Sequence, residues 1–509
     1  AKHRLTAQSR YIREPDALVD VMGDFKPWQF IICMWVFYSK FSNGAHCLAT
    51  IFLTPTIDFK CIDPEGDDAC SADCKKREYD HSVFEETIIS EWDLVCGYSV
   101  LASLSQAIFM FGIMVGSMLF GIISDKYGRR FSFLACCLMH LIIAPIVTFS
   151  TWFWLFCVLR FLVAIATGGI LIVSFVILME VIGPSKREIM SLTYQLPFCL
   201  GHASLALFSY FFRHWKWYHM SITASSLLFI AYYWVIPETP RWLFSTGRLE
   251  EAIEVLERAA KFNKMPTENI RAIIEEAYKT KKGGDSVKKG SLADLFRNTN
   301  LRIRTLAMAF CWLVMCLTFY GVAQYISGML GNIFLNVAFG ASLGIPGVLL
   351  CIPMTKYFGR KYTLMFSNAL TGAALLTIAC LTDTRGLAST ILAGFGIFGA
   401  IMSFSNAYLY AGELFPTVVR NSGVGFSSLI GRLGSIVAPF VVQMSEIAVW
   451  LPPCIFGMAS ILAALSVLFL PETKGTVLPD TIEEGESFRD TADAEPQLHK
   501  NRTGFVDRC

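Results

Sequence analysis

Charge is scarce in this chain. Of its 509 residues only 17% are Asp, Glu, Lys or Arg, against about a quarter in ordinary soluble domains. Hydrophobic residues make up 54%, and mean hydropathy is +0.50. A soluble protein of this length needs amphipathic periods and polar linkers about every 150 residues. Instead, apolar runs of bilayer-crossing length, about 20 residues, recur from Trp28 almost to Leu470. The chain therefore reads as a membrane protein. It has no Gly-Lys-Ser/Thr phosphate loop, which argues against an ATP-driven pump. It has no Cys/His spacing of the zinc type either. No catalysis, cofactor, metal or nucleic-acid partner is expected, so the chain is not read as an enzyme. Residues 1–27 contain no short apolar core before a cleavage site, so the first span is expected to act as its own insertion signal. No Asp or Glu falls in the middle of any apolar run.

What is abundant is self-similarity. Residues 116–130 read GSMLFGIISDKYGRR and residues 347–361 read GVLLCIPMTKYFGRK, with Gly128 and Gly359 separated by 231 positions. Glu180, seven before Arg187, is answered 233 positions later by Glu413, seven before Arg420. PETPRWL at 237–243 is answered by PETKG at 471–475, offset 234. Three unrelated patterns with one offset imply two homologous halves, a common construction of membrane transporters.

The charges that exist are sorted by side. Residues 56–97 hold twelve Asp/Glu against four Lys/Arg, whereas 239–304 hold fourteen Lys/Arg against nine Asp/Glu. Lys/Arg excess marks the cytoplasmic side, so 56–97 is outside; RHWK at 213–216 is the one basic loop that runs against this scheme. Twelve spans are expected, at 28–54, 98–123, 131–150, 152–180, 189–212, 218–237, 303–329, 333–355, 362–381, 386–411, 419–445 and 449–470. The fold class is all-α membrane protein, two pseudo-symmetric six-helix bundles. The divisions are a cytoplasmic segment 1–27, a bundle 28–238, an inter-bundle loop 239–302, a bundle 303–471 and a cytoplasmic tail 472–509. RLEEAIEVLERAA (248–260) has the period of a surface helix; KKGGDSVKKG (281–290) reads as a flexible linker, and the tail beyond about 485 as disordered. Cys61, Cys70, Cys74 and Cys96 are disulfide candidates in an oxidising exterior, with three connectivities open. The only Asn-x-Ser/Thr is Asn501-Arg-Thr, in the tail.

Several charged and polar residues invite function. Asp125 is expected to pair with the opposite half when an inner gate closes, with Arg129, Arg130, Arg187, Arg360 and Arg420 supplying cations, and Glu180 and Glu413 serving as intracellular charge-pair elements. Lys40 lies about twelve residues from either end of its span, too deep to snorkel easily. It shares a broad helical face with Asn43 and His46 at i, i+3 steps. Arg432 sits in mid-span, where a charge costs about 2.5–3.5 kcal/mol and persists only beside a cavity or partner. With no acid available there, a substrate ammonium would rest on aromatic faces, for which Tyr38, Tyr194, Phe198, Trp312, Tyr320 and Tyr325 are candidates. His46, His140 and His202 are read mainly as structural.

These motifs match the major facilitator superfamily. ISEWDLVC (89–96), GSMLFGIISDKYGRR, IPETPRWL, FYG (319–321), AGELFPTVVRNSGVG (411–425) and LPETKGTVLPDTI (470–482) together resemble the organic cation, carnitine and organic anion transporters. GVGFSSLIGRLGSIVAPF (423–440) resembles the carnitine branch. The resemblance implies that Arg432 occupies a position that is acidic in cation carriers and Arg in anion and carnitine carriers. Ile397 stands where the family usually has Lys. The implied function is a plasma-membrane secondary transporter of small organic cations or zwitterions, carnitine-like or amino compounds, working by alternating access. Lys40, Asn43, Tyr194, Tyr320, Gln324 and Arg432 are its expected substrate residues. Its partners would be the small organic ion, the lipid bilayer and a coupling ion, sodium or proton. The alternatives are an organic anion exchanger and, more remotely, a non-transporting receptor on the same fold.

Overall fold

The computed structural model describes residues 17–63, 69–71, 74–283, 291–329, 331–381, 384, 386–476, 479 and 481–488. Most of the linker at 281–290 and the tail from 489, with Asn501, lie outside the described residues. Here "inner" denotes the face carrying the basic loops.

Helices fill the twelve expected positions: α1 (Pro27–Leu48), α2 (Ser99–Tyr127), α3 (Arg129–Val147), α4 (Phe153–Val181), α5 (Leu196–Phe211), α6 (Trp215–Ser225), α7 (Thr299–Tyr325), α8 (Ile333–Phe358), α9 (Arg360–Cys380), α10 (Leu387–Leu414), α11 (Arg420–Gln443) and α12 (Leu451–Ser466). Among the described residues nine of these are long and apolar enough to cross a bilayer. The other three fall short for local reasons. Gln29, Lys40, Asn43 and His46 dilute α1. The fifth span breaks at Tyr194–Gln195, between an inner helix Pro184–Thr193 and α5, where Pro197 lacks an N–H. The sixth leaves α6 for a 3₁₀ stretch, Ser226–Ala231, before resuming over Tyr232–Val235.

Small residues let helices meet backbone to backbone, as membrane packing favours. A Cβ on Gly116 of α2 would lie 2.0 Å from the Ile165 carbonyl oxygen of α4, and one on Gly434 of α11 would lie 2.1 Å from that of Leu313 of α7. Large apolar side chains such as Phe149, Leu207, Ile230 and Leu462 are exposed around the perimeter, where lipid replaces water.

The outer loop forms a hairpin, β1 (Phe59–Asp63) antiparallel to β2 (Lys76–Tyr79). The disulfides are Cys61–Cys74 and Cys70–Cys96, the second tying the loop to the start of α2. On the inner face Leu249–Phe262 packs Ile253, Leu256 and Ala260 against Ile270, Ile274 and the helix Ala17–Met22. Ile482–Ser487 is a helix with a capping box at Thr481 and Glu484, and the Glu486 carboxylate accepts from the backbone N–H groups of Asn300 and Leu301.

The three repeated motifs converge in space. The segment SDKY is helix: α2 runs to Tyr127, α3 starts at Arg129, and Gly128 at φ 108° makes the whole turn. Gly359, at φ 93°, does the same between α8 and α9. Only Gly adopts such a backbone cheaply. There is also no room for a side chain, since a Cβ at either glycine would stand 2.3 Å from a carboxylate oxygen of Glu238 or Glu472. Those carboxylates cap the following helices. Glu238 accepts from the N–H groups of Arg129 and Arg130 at 2.9 and 3.2 Å, and Glu472 from those of Arg360 and Lys361 at 2.9 and 3.0 Å. Burial raises the Glu238 carboxyl from its ordinary range, and the N–H donors of Thr239, Arg130 and Arg129 pull it back.

Candidate functional site

Each motif cluster closes on an ion pair. Arg129 meets Glu180 at 2.9 Å and Arg360 meets Glu413 at 2.9 Å; the hydroxyls of Thr239 and Thr473 donate to the same two glutamates at 2.5 and 2.6 Å. Asp125 departs from expectation. Its partner is Arg129, 2.6 Å away on its own half, because the turn at Gly128 folds the start of α3 back beside the end of α2. The contact between halves is made instead by Arg360, whose Nη2 lies 3.1 Å from Glu188. Sequence reasoning passed over Glu188, since nothing in its spacing repeats. Arg187 and Arg420 occupy corresponding places, donating to the carbonyls of Ile182 and Phe415. Arg130 donates to the carbonyl of Tyr233 at 2.8 Å.

The halves also meet at the outer face. Phe334 of α8 stacks on Phe52 at 5.7 Å and meets Phe84 and Tyr210 at 5.8 and 5.7 Å. At a second helix pair, Ser103 of α2 donates to the Pro439 carbonyl of α11 at 3.3 Å.

Between these two contacts lies a cavity of about 40 Å³, room for a few waters. Four of the six expected binding residues, Lys40, Tyr194, Tyr320 and Arg432, line it, whereas Asn43 and Gln324 do not. Asn43 is fully buried with both amide atoms unpaired, and Gln324 sits at the outer end of α7. Phe198 also lines the cavity. Tyr38 donates to the Ser225 carbonyl, Trp312 packs on Tyr408 at 4.5 Å, and Tyr325 reaches the Thr384 carbonyl, so these three serve other contacts. Phe175, Gln195, Phe319, Phe404, Tyr408 and Ser428 line the cavity too. Their signal, an aromatic or small polar residue in an apolar run, is too common to single out.

Lys40 corrects the picture of an aromatic cage waiting for a substrate. Its ammonium lies 4.6 Å from the Tyr194 ring centroid and 5.1 Å from that of Phe198, so the chain's own cation covers those two faces. Tyr194 is held for this by its hydroxyl, 2.6 Å from that of Ser174. Among the described residues neither Lys40 nor Arg432 makes an ion pair, and no Asp or Glu lines the cavity. Two nearly buried cations, at 5% and 8% exposure, thus face one small space from opposite halves. The chemistry offered is anion recognition, with Arg432 able to grip a carboxylate through two parallel N–H donors.

Comparison with known proteins agrees with this architecture. The sugar (and other) transporter family matches residues 66–483. An organic cation transporter protein of Drosophila melanogaster is 31% identical, covering 93% of this chain and 94% of its own length. The human organic cation/carnitine transporter 2 is 30% identical with the same two coverages. In fold, the inward-open xylose transporter XylE of E. coli superposes with a TM-score of 0.66 at 17% identity, over 90% of this chain and 99% of that one. The chain therefore belongs to the sugar (and other) transporter family, a multi-pass membrane transporter grouped with the organic cation and organic cation/carnitine transporters.

Proposed function

We propose that this protein is a plasma-membrane secondary transporter, with both termini cytoplasmic, that moves small organic cations and zwitterions by rocking its two halves around the central cavity. The reading rests on Arg432, an unpaired guanidinium held at mid-membrane in a cavity lined by Tyr320 and Tyr408. A charge kept in a bilayer at that cost has a use, and a substrate carboxylate answers it. The onium end of a zwitterion such as carnitine, the substrate in the name of the human relative, then rests on rings that Lys40 leaves uncovered, Phe175, Phe319 and Tyr408 among them. A cavity this small cannot admit such a molecule without separation of the halves, which is what alternating access provides. Sodium or a proton is the proposed coupling ion.

Organic anions are the second reading, favoured by Lys40 as a second cavity cation with no acid beside it. Uptake of carnitine, tetraethylammonium and an aryl carboxylate, with and without sodium, separates the two. Arg432→Ala should abolish uptake of the carboxylate-bearing compounds and spare tetraethylammonium, at unchanged surface expression. Normal carnitine and aryl carboxylate uptake by that variant would remove the substrate assignment and leave the transporter.

A further inference from the structure

A third intramembrane cation, Arg160 of α4, lies away from the central cavity and has no part in the reading above. It is 1% exposed, two turns from the outer end of its helix. Its Nη2 donates to the Thr50 hydroxyl at 2.8 Å, and its guanidinium lies 4.2 Å from the Phe109 ring centroid. Nε and Nη1 have no partner. Thr50 follows His46 by four residues, and the Arg160 charge acts on both His46 and His219; with His140 they make three histidines on three helices. His46 of α1 is 4.5 Å from His140 of α3 and 5.8 Å from His219 of α6, ring centre to ring centre.

Hydrogen-bond accounting divides the histidines. Thr167 uses its proton on the Val163 carbonyl, so it accepts from His140 Nδ1; Nε2 then accepts from Ser226. His140 is satisfied. Both nitrogens of His46 and both of His219 are buried without a partner. With two Arg160 nitrogens, six polar atoms are left open inside a lipid-embedded bundle, a state that native interiors avoid.

The charge balance says what would close them. No Asp or Glu occurs in α1, α3 or α6. The acids of α2 and α4, Asp125 and Glu180, are at the inner ends; along α4 Glu180 is about 30 Å from Arg160 at 1.5 Å per residue. On the outer side Glu91 is paired with Lys216 and Glu86 with His214. Lys40, one and a half turns along α1, is a further cation. A proton added to either imidazole would increase an uncompensated positive charge. A water would fill hydrogen bonds and leave that charge unanswered. An anion answers the charge and the open donors, two Arg160 nitrogens and one N–H on each of His46 and His219; the second nitrogen of each imidazole is an acceptor and stays open.

We infer that Arg160, His46 and His219 form a buried site for a small monovalent anion of the halide class, in the outer part of the first bundle. The test uses the full-length protein in detergent, with sodium gluconate replaced by sodium chloride or bromide at constant sodium and pH. The thermal midpoint should rise with halide and saturate. Removing a donor should raise the half-saturating concentration by about tenfold or more, in Arg160→Gln and, where Arg160→Gln does not accumulate, in His219→Phe, which keeps the ring volume. Arg432→Ala should keep the response. A midpoint indifferent to halide overturns the site. So does a response that survives both first-bundle variants, that Arg432→Ala removes, or that follows pH at fixed chloride instead.

Discussion

Glu188→Gln is the substitution that isolates the inner closure. Arg360 holds two carboxylates, Glu413 at 2.9 Å within its own half and Glu188 at 3.1 Å across to the other. Removing the second leaves the buried Arg360 still paired, so no uncompensated charge is created and the fold should be unaffected. The Arg360 side chain is 9% exposed but that of Glu188 is 41% exposed, which puts the pair near the surface class, worth about 0.5–1 kcal/mol. The ratio of inner-closed to inner-open protein should therefore fall by about two- to fivefold. Distances between spin labels at the exposed positions Ile189 and Tyr357 report that ratio. Glu188→Lys should shift it further in the same direction. Asp125→Asn, which touches only Arg129 in its own half, should leave it unchanged. An unaltered distance distribution in Glu188→Gln, or an equal shift in Asp125→Asn, would refute a cross-half latch.

Three further outcomes are expected. Lys40→Met uncovers the Tyr194 and Phe198 faces; a buried cation–π contact is worth about 2 kcal/mol, so uptake of tetraethylammonium relative to an aryl carboxylate should rise severalfold in competition assays, and an unchanged ratio counts against Lys40 as a selector. Glu238→Ala and Glu472→Ala each remove a cap from a helix start and should cost about 1–2 kcal/mol. They lie in different halves, so the double variant should be additive in denaturant unfolding, and either change proving neutral contradicts the capping role. Loss of Cys70–Cys96, separated by 26 residues, should loosen the outer loop slightly more than loss of Cys61–Cys74, separated by 13. Chain entropy gives about 3.5 against about 3 kcal/mol; protease digestion of the outer loop measures it, and equal resistance with both bridges removed would contradict it.

The gating motifs show how far a linear pattern reaches. Gly128 and Gly359, Glu180 and Glu413, and the two PET segments were visible as pairs, but their meeting in one cluster per half was not. Nothing in a one-dimensional offset says that Glu238 caps α3 or that Arg129 chooses Glu180. The charge of Asp125 at a span end suggests a cross-half partner; the turn at Gly128 instead brings Arg129, the first residue of α3, back to it. The latch to Glu188 follows only from the docking of the halves.

The central site divides in the same way. Sequence alone determined the bilayer-spanning class, the duplication, the sidedness of charge and the presence of lone cations at Lys40 and Arg432, because apolar run length, period and the cost of a buried charge are local properties. Tertiary structure decided that those cations share a cavity, that Lys40 covers Tyr194 and Phe198, that Asn43 and Gln324 stand apart from it, and that Arg160 gathers with histidines from three other helices. Which side chains face one another across 200 or more residues depends on helix rotation and docking. Those are set by the fit of small residues such as Gly116 and Gly434 against neighbouring backbone, a property of surfaces that exist only once the helices are packed.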